Sequence, residues 1–532
     1  MSTSDQYVLA IDLGTSGCKV GLVSITGDVI AWAFRSIPIS VVGKVGAEQK
    51  PDDWWNGFVD ATQEILAKRL VPRSSIKAIC TSAQGEGTIA VDKRGVALMN
   101  AVIWLDMRGG RYLEKEIGGV LSFAGYSAIK LSKWLRLCGG APALSGKDPF
   151  GHALLIREAF PDIYEKTYKF LNVLDYFNLR LTGRFVATHD SILTSWVTDN
   201  RDINNIRYDD GLIALSGIER DKFPDLVRCT DVIGTLLPSV AELLGLPASV
   251  QVVAGAIDNT AAAIGAGTLL DYDAHLYLGS SSWIAAHVPF KKTSVIDQIG
   301  SVPCALPSRY LMMAMQSNGA SNVAFLKDRI VFHDDGLIEG EPNPDVYKVL
   351  DEIAARTPAG ADGAMYLPWL FGERCPVDDA SLRACLFNLS IDHNRETLVK
   401  AVFEGVALNT RWMMKPVRRF LGRQLKELTV IGGGGMSNAW CQVFADVLDI
   451  RIRQPVEPMK ANARGAAFIG AAGIKLIGLE EAARRVVIEK VYEPDPANRQ
   501  LYDERFGIFT ELHRRLTPIY RRLNASKGKP NG

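Results

Sequence analysis

The sequence of 532 residues has no excess of one charge. Its 60 lysines and arginines balance 59 aspartates and glutamates, which leaves a formal net charge of +1 at pH 7. Without a basic field, we expect neither nucleic acid nor an anionic membrane as a partner. No charged-then-apolar leader opens the chain, and the most apolar long stretch, residues 252–270, is interrupted by Asp258 and by glycines. A cytoplasmic protein without a membrane span is therefore expected.

The sequence also lacks clusters of metal-binding cysteine and histidine. Its eight cysteines contain no C-x-x-C pair, and its seven histidines are scattered. This spacing argues against a built-in zinc site. Most cysteines lie in apolar strings, so we expect small buried thiols in a reducing compartment.

The length predicts two domains of roughly 250 residues each. The N-terminal half has the order β-β-β-α-β-α. Its strands are predicted at 8–12, 19–24, 29–34 and 76–81, with another at 87–91, and its first helix is predicted at 51–68. The second half repeats it, with strands at 275–278, 284–288, 310–314 and 428–431 and helices at 319–329, 397–421 and 439–448. Both halves therefore predict an α/β fold with a mixed sheet flanked by helices. The expected domains are 1–268 and 269–523, followed by a disordered tail, 524–532.

Two glycine-hydroxyl turns, each entered from an apolar strand, occur about half a chain apart. The first contains Gly14, Thr15 and Ser16, with Lys19 shortly after it, and the second contains Gly279, Ser280 and Ser281. Glycine lets backbone N–H groups approach an anion, and hydroxyls add further donors. The pair predicts a polyphosphate held between two halves of a duplicated protein.

Two carboxylates follow apolar strands at these turns. Asp12 ends the strand before the first turn, where it could place a magnesium ion beside phosphates or stabilise the turn itself. Asp258 lies between an apolar strand and a helix of small residues. Its two interpretations are a helix N-cap and a general base acting on a substrate hydroxyl, and the surrounding glycines and alanines favour the base.

Three further segments suit a ligand. The run Gly432–Gly435 leaves room for a ribose or an aromatic ring, although a plain β-α turn is the simpler interpretation. The small residues of 461–473 predict a closely packed helix. Trp104, Asp106 and Arg108 combine an aromatic face with two charges, which suits a polyhydroxylated ligand or a buried ion pair beside a core tryptophan.

Together these stretches resemble the FGGY family of carbohydrate kinases, within the actin-like ATPase superfold. Five segments carry the resemblance: 12–19, 101–108, 255–267, 278–282, and 431–438 followed by 463–472. The resemblance implies two ribonuclease H-like domains, each with a mixed five-stranded sheet, and a cleft between them. The N-terminal domain would bind the sugar and carry the base, and the C-terminal domain would bind the nucleotide.

The resemblance also implies roles for single residues. Asp258 would be the base and Asp12 would help to place magnesium. The nucleotide would be bound by Gly14, Thr15, Ser16, Lys19, Gly279, Ser280, Ser281, Gly319, Gly434, Gly435 and Asn438. The substrate would be bound by Gln84, Glu86, Trp104, Asp258 and Asn259.

The segment 82–87 departs from the family's patterns. Xylulokinases usually show a Met-His pair there, whereas this chain has Gly85 and Glu86. Glycerol kinases carry Gln-Arg-Glu, so Gln84 and Glu86 match that pattern while Gly85 replaces the arginine. The choice of substrate therefore stays open.

These features predict transfer of the ATP γ-phosphoryl group, with Mg²⁺, to a primary hydroxyl of a small ketose or polyol. A pentulose such as xylulose is favoured, and glycerol, a tetritol or another sugar alcohol is the alternative. A non-catalytic actin-like ATPase is a rival of another class, and a dinucleotide-dependent oxidoreductase is a weaker one because no early G-x-G-x-x-G occurs. A homodimer is left open.

Overall fold

The computed structural model describes residues 6–119, 122–123, 125–331 and 345–524. Two large mixed sheets organise the chain. The first sheet has six strands: β1 (Tyr7–Gly14), β2 (Gly17–Ser24), β3 (Val29–Ser36), β4 (Ile76–Ala83), β5 (Val232–Thr235) and β6 (Gln251–Ile257). Their spatial order is β5-β6-β4-β1-β2-β3, and β1, β4 and β6 run parallel to one another.

The second sheet has eight strands. They are β7 (Ala274–Leu278), β8 (Ser282–Val288), β9 (Thr293–Ser294), β10 (Ile299–Pro303), β11 (Tyr310–Gln316), β12 (Glu427–Ile431), β13 (Arg451–Pro455) and β14 (Ile488–Tyr492). The order is β9-β10-β11-β8-β7-β12-β13-β14. The meander β7-β8-β11 is antiparallel, and β7, β12 and β13 are parallel.

The two sheets share one arrangement, which confirms the predicted duplication. In each, an antiparallel meander of three strands continues into two parallel strands, as the ribonuclease H-like fold requires. The predicted count of five strands is exceeded in both. An antiparallel edge strand, β5 or β14, is added beyond the second parallel strand, and β9 and β10 extend the other edge of the second sheet. Of these added strands, β5 has four residues and β9 has two, which is too short to give a clear alternating pattern in the sequence.

Sixteen helices surround the sheets in the described part of the chain. They are α1 (Pro51–Ala67), α2 (Gly110–Ile117), α3 (Ala128–Leu137), α4 (Pro149–Ala159), α5 (Pro161–Lys166), α6 (Val173–Thr182), α7 (Asp210–Ser216), α8 (Pro238–Leu244), α9 (Asp258–Gly265), α10 (Ser321–Leu326), α11 (Val346–Arg356), α12 (Arg395–Leu421), α13 (Asn438–Leu448), α14 (Ala461–Gly473), α15 (Leu479–Arg484) and α16 (Arg499–Asn524). The predicted helices at 51–68, 397–421 and 439–448 therefore lie within one or two residues of the observed bounds. The predicted helix at 319–329 is α10 followed by a turn of π-helix, Lys327–Val331.

Short strands form small sheets outside the two large ones. They are Ser40–Val42, Gly46–Gln49, Ile89–Val91, Ala101–Val102, Ser122–Phe123, Tyr126–Ser127, Lys169–Leu171, Val186–Thr188, Thr198–Asp199, Arg207–Tyr208, Asp225–Val227, Met365–Leu367 and Cys385–Phe387. The strand predicted at 87–91 is thus present, but it pairs with Lys169–Leu171 rather than with the first sheet.

The first sheet is buried on both faces. Successive side chains of β1 point to opposite sides of the sheet, and those on each side are buried. Leu9 and Ile11 pack in a cluster with the aromatic side chains of α1 and α6. Val8 and Ala10 pack on the other side with Phe468 of α14. A helix from the second half of the sequence therefore completes the core of the first sheet.

Helices α9 and α14 cross at two glycines. A Cβ added to Gly265 would lie 1.8 Å from the carbonyl oxygen of Ala461, and one added to Gly465 would lie 1.9 Å from that of Ala261. Only hydrogen at both positions permits this backbone contact. The close packing predicted for 461–473 is therefore confirmed, and its partner is the helix that begins with Asp258.

The last helix extends one residue into the tail that was predicted to be disordered. Asn524 is the last residue of α16 and donates a hydrogen bond to the carbonyl oxygen of Ser381 at 2.9 Å. The remainder of the tail predicted to be disordered, 525–532, lies outside the described residues. None of the helices in the described ranges combines the length and apolar character needed to span a membrane.

Candidate functional site

The two predicted carboxylates lie at the same edge of the first sheet. In the parallel pairing, Asp12 of β1 is opposite Ser82 of β4, and Ser82 is in turn opposite Ala256 of β6. Two strand spacings separate Asp12 from Ala256, about 10 Å between Cα atoms. Asp258 follows two residues later as the first residue of α9, so the strand and helix bring it toward Asp12.

Asp12 is almost fully buried, at 3% exposure, and is paired with a lysine. Lys19 lies opposite it in the β1-β2 hairpin and donates a hydrogen bond to its Oδ2 at 2.9 Å. The charge of Asp12 is the largest cause of a raised pKa at Lys19, followed in the same direction by Tyr277 and Asp258. Lys19 therefore stays protonated at neutral pH and places its positive charge at hydrogen-bond distance from Asp12.

Asp258 is an acid with a raised pKa. Burial raises its pKa to about 7, the charges of Asp12 and Glu86 add to the rise, and Lys19 opposes it. Its Oδ1 accepts a hydrogen bond from the backbone N–H of Asn259 at 2.7 Å. The N-cap position of α9 is Ile257 and not Asp258, so the capping interpretation does not apply.

The second half contributes Tyr277, which the sequence analysis did not select. Burial raises its pKa to about 12, with Lys19 lowering it and the charges of Asp12 and Asp258 raising it. The ring stacks on Trp283, with centroids 3.8 Å apart and planes 4° from parallel. A tyrosine of β7 thus faces the carboxylates of the first sheet, and its position depends on how the two halves pack.

Three side chains fix the first turn through a closed ring of hydrogen bonds. Thr15 Oγ1 donates to Gln84 Oε1 at 3.0 Å, and Gln84 Nε2 donates to Gln49 Oε1 at 2.9 Å. Gln49 Nε2 returns to the carbonyl oxygen of Thr15 at 2.8 Å. Trp104 Nε1 donates to Thr15 Oγ1 at 2.8 Å. Predicted nucleotide and substrate residues therefore share one network, and Gln49 was missed because its polar partners are distant in sequence.

Glu86 lies just after β4 in the left-handed region, with φ of 61°. Burial raises the pKa of its carboxyl, and the charges of Arg374 and Lys147 oppose the rise. Arg374 belongs to the second half of the chain and is exposed. Neither cation stands out in the sequence, because each is a single charge in a loop.

Asn259 follows the candidate base. Its Oδ1 is buried and accepts no hydrogen bond from a described residue. A buried amide oxygen without a donor is costly, and a ligand hydroxyl would satisfy it. The position is therefore consistent with the predicted contact to substrate.

The second turn is brought onto the loop that follows β11. The backbone N–H of Gly319 donates to the carbonyl oxygen of Ser280 at 2.9 Å, and the N–H of Ala320 donates to that of Gly279 at 2.7 Å. A Cβ on Gly319 would lie 2.6 Å from the carbonyl oxygen of Gly279 and 2.7 Å from that of Ser281. Glycine is required there, and the predicted residues Gly279, Ser280, Ser281 and Gly319 form one cluster.

The glycine run lies next to this turn. Gly432 has φ of 89°, and a Cβ on Gly434 would lie 2.5 Å from the side chain of Leu278. The backbone of Gly435 accepts a hydrogen bond from Gln454 Nε2 at 2.8 Å. Asn438 is exposed at the start of α13, and its Oδ1 accepts from the hydroxyl of Tyr492 at 2.7 Å. The predicted adenosine residues thus lie at the same edge of the second sheet as the second turn.

Two other sequence-selected positions have simpler roles. Ser16 is exposed, and its carbonyl oxygen accepts from the N–H of Ile37 at 3.1 Å. Asp106 is fully buried and ion-paired with Arg108 at 2.7 Å, and Arg108 also pairs with Glu48 at 2.6 Å. Asp106 and Arg108 therefore form the buried ion pair that was one of the two interpretations of this segment. Trp104 faces the first turn instead.

The donor set is compatible with magnesium. Among the described residues there is no cluster of three or more histidines, cysteines, aspartates or glutamates that could by itself hold a metal. Magnesium is commonly bound through one or two carboxylates together with substrate phosphates and water. Asp12 offers such a carboxylate, because Oδ2 takes the lysine while Oδ1 accepts no hydrogen bond from the described residues.

Models of one protein family match most of the chain. Residues 7–134 and 153–265 match the N-terminal domain of the FGGY family of carbohydrate kinases, and residues 278–474 match its C-terminal domain. The xylulose kinase of Bacillus subtilis strain 168 is 28% identical over 515 residues, covering 96% of this chain and 97% of the relative. That of Escherichia coli K12 is 28% identical over 525 residues, covering 96% and 99%. The crystal structure of xylulose kinase from Rhodospirillum rubrum, 24% identical, superposes with a TM-score of 0.80 over 97% of this chain and all of that one.

Proposed function

Because the chain belongs to the FGGY family of carbohydrate kinases, we propose that it transfers the γ-phosphoryl group of ATP to a primary hydroxyl of a pentulose such as xylulose. Full-length similarity to relatives named xylulose kinase supports this substrate class. Glycerol, a tetritol or another sugar alcohol is the alternative, since Gln84 and Glu86 match the glycerol kinase pattern.

The observation that carries the proposal is the environment of Asp258. A general base must be deprotonated in a large fraction of molecules at the working pH, and it must also be basic enough to accept a proton. A pKa of about 7 satisfies both conditions. Asp258 accepts the hydroxyl proton as the oxygen attacks the γ-phosphorus, and the bond from that phosphorus to the β,γ-bridging oxygen breaks. Lys19 and Asp12 remain a fixed ion pair beside it.

Phosphoryl transfer requires mainly position and charge compensation. The backbone N–H groups and hydroxyls of the turns at Gly14 and Gly279 would bind the phosphates from the two halves. Magnesium, when bound at Asp12 with the phosphates, would neutralise part of their charge. The glycine run 432–435 and Asn438 would accommodate the adenosine.

The sugar would bind on the side of the first sheet. Asn259 would accept a hydrogen bond from one hydroxyl with its unpaired Oδ1. Glu86, Gln84 and Trp104 would line the remaining pocket wall. The hydrogen-bond ring through Thr15 would hold Gln84 and Trp104 in place before the substrate arrives.

Asp258→Asn tests the assignment. We expect the variant to fold and to bind ATP as the wild type does, but to lose at least about 100-fold in kcat. The measurement is a coupled ADP assay over pentuloses, pentitols, tetritols, hexuloses and glycerol, with ATP binding followed separately. Asp52→Asn is the matched control, since Asp52 is 82% exposed on α1. Near-normal turnover in Asp258→Asn would refute the base, and ATP hydrolysis that no sugar stimulates would support a non-catalytic ATPase instead.

A further inference from the structure

A basic groove lies on the second half of the chain, away from the candidate active site. It has a volume of about 810 Å³ and is formed by the C-terminal parts of α12 and α13 and by α16. Six cationic side chains line it: Arg411, Lys415, Arg418, Arg419, Arg423 and Arg499. Its one acidic lining residue is Asp449. For a protein with a net charge of +1, this is a strong local concentration of positive charge.

Only part of this charge is compensated within the protein. Arg499 is ion-paired with Asp449 and Asp503, Arg411 with Asp503, and Arg419 with Asp297. Lys415, Arg418 and Arg423 form no ion pair with any residue of the described ranges. Arg423 instead lies over the ring of Tyr272, at 3.4 Å from its centroid.

Arg418 lacks both an ion pair and a hydrogen-bond acceptor for its Nε among the described residues. Its Nε is buried without a hydrogen-bond acceptor among the described residues, and the same holds for Nη1 of Arg411. Burial lowers the pKa of Arg418, and the charges of Arg411 and Arg499 lower it further. Buried N–H groups without acceptors, next to like charges, destabilise the protein unless an anion accepts from them.

The helix dipole explains only part of the arrangement. Arg418 and Arg419 lie in the last turn of α12, where cations are favoured by the partial negative charge of the helix end. Arg411 lies two turns earlier, and Arg499 begins a different helix, so the dipole does not account for their convergence. A bound anion with several acceptor oxygens would account for this convergence.

We propose that this groove is a second ligand site, which binds a small molecule carrying a phosphate group. Arginine side chains present paired donors that fit phosphate oxygens, and the volume suits a metabolite-sized ligand. Met414, Leu448 and Phe506 supply an apolar wall for its carbon skeleton.

The site is distinct from the nucleotide position. Asn438 begins α13 and Leu448 ends it, so the groove lies about 15 Å along this helix from the predicted adenosine residues. The proposal does not depend on the substrate assigned above, because none of the groove residues belongs to the candidate active site.

Calorimetric titration of the ADP-saturated protein tests the proposal, with inorganic phosphate in one arm and a pentose 5-phosphate in the other. Tight binding in the first arm that Arg418→Gln weakens identifies free phosphate as the occupant. Preference for the second arm identifies a phosphorylated sugar only in the part of the binding that Arg418→Gln weakens, since a pentose 5-phosphate also resembles the product of the proposed reaction. We expect Arg418→Gln to weaken binding at least about 10-fold, and the double variant with Arg411→Gln to weaken it further. Arg514→Gln is the matched control, since Arg514 is 76% exposed on the same helix α16 and does not line the groove.

Turnover of the groove variants separates this site from the cleft. We expect Arg418→Gln to retain basal kcat and the KM for ATP, because it removes no group near the carboxylates. Unchanged phosphate binding in Arg418→Gln would overturn the proposal, as would a wild-type Kd weaker than ~10 mM in both arms. Binding of heparin without binding of either small phosphate would also overturn it, since that result indicates a macromolecular polyanion.

Discussion

At the scale of single residues, the site depends on acids whose environments differ. Asp12 accepts a hydrogen bond from Lys19 at 2.9 Å. The side chain of Asp258 accepts one hydrogen bond among the described residues, from a backbone N–H, and its pKa is raised by burial and by the charge of Asp12. Asp12 is thus paired with a fixed cation, and Asp258 is left able to take up a proton near neutral pH. This division of roles follows from position, because both residues are aspartates.

The raised pKa of Asp258 predicts a pH dependence. Since the base must be deprotonated, kcat/KM should fall about tenfold per pH unit below about 7. The native state also binds this proton more tightly than the unfolded chain does, so the stability contribution of Asp258 is largest at low pH and is lost as pH rises through about 7. Asp258→Asn should therefore gain in Tm relative to the wild type between pH 5 and pH 8. A kcat/KM profile that stays flat over this range, or a Tm difference that shrinks, would contradict the assignment.

Glu86 predicts a separation of substrate constants. If Glu86 binds the sugar as proposed, Glu86→Ala should raise KM for the sugar about tenfold or more, since it removes a hydrogen bond to a substrate hydroxyl, and leave KM for ATP little changed. Steady-state kinetics with each substrate varied in turn measure this. An equal change in both constants would place Glu86 in a structural role between Arg374 and Lys147.

At the scale of elements, the glycine crossing of α9 and α14 couples the candidate base to the second half of the chain. The helix that begins with Asp258 has no side-chain layer between it and α14, because Gly265 and Gly465 meet backbone to backbone. Such a contact leaves no room for a methyl group, so it fixes the height of α9 above the sheet.

Gly465→Ala should therefore lower the free energy of unfolding by about 2 kcal/mol or more, since its Cβ would lie 1.9 Å from the carbonyl oxygen of Ala261. Gly507→Ala is the matched control. Gly507 lies inside α16 with nothing within 4 Å of an added Cβ, so alanine should stabilise the protein by about 0.5–1 kcal/mol. Denaturant unfolding measures both changes. Equal small effects at the two glycines would show that the crossing tolerates separation.

At the scale of the whole molecule, the two halves of the sequence are not two independent cores. Helix α14 packs on β1, β4 and β6 of the first sheet, and its Phe468 lies in the same cluster as Val8 and Ala10. The proposed boundary at 268 and 269 therefore divides the sequence but leaves one face of the first sheet without its cover.

Residues 1–268 expressed alone should lack a cooperative unfolding transition, because the apolar face against α14 would be exposed. Joining residues 461–484 to residue 268 through a flexible Gly/Ser linker should restore a cooperative transition. Thermal melts followed by far- and near-ultraviolet circular dichroism compare the two chains. A sharp transition in residues 1–268 alone would show that the first domain is self-sufficient.

Local patterns determined much of this protein in advance. Strands β1 to β4, β6 to β8, β11 and β12, helices α1, α12, α13 and α14, and the fold class follow from alternating apolar residues and from helical spacing, which are properties of neighbouring residues. The turns at Gly14 and Gly279 and the two aspartates could also be identified, since each is a short motif at the end of an apolar strand. The edge strands β5 and β14 could not, because pairing with a neighbour rather than local pattern makes them strands.

What only the tertiary structure decided concerns partners far apart in the chain. The sequence determined that Asp12 and Asp258 lie close to the ends of buried strands, but the order β6-β4-β1 placed both at one edge of a sheet. Tyr277, Gln49 and Arg374 joined the site through tertiary packing as well, and the cations of the basic groove converged from α12 and α16. Proximity of this kind is set by strand order and helix packing, and neither is written in the spacing of residues along the chain.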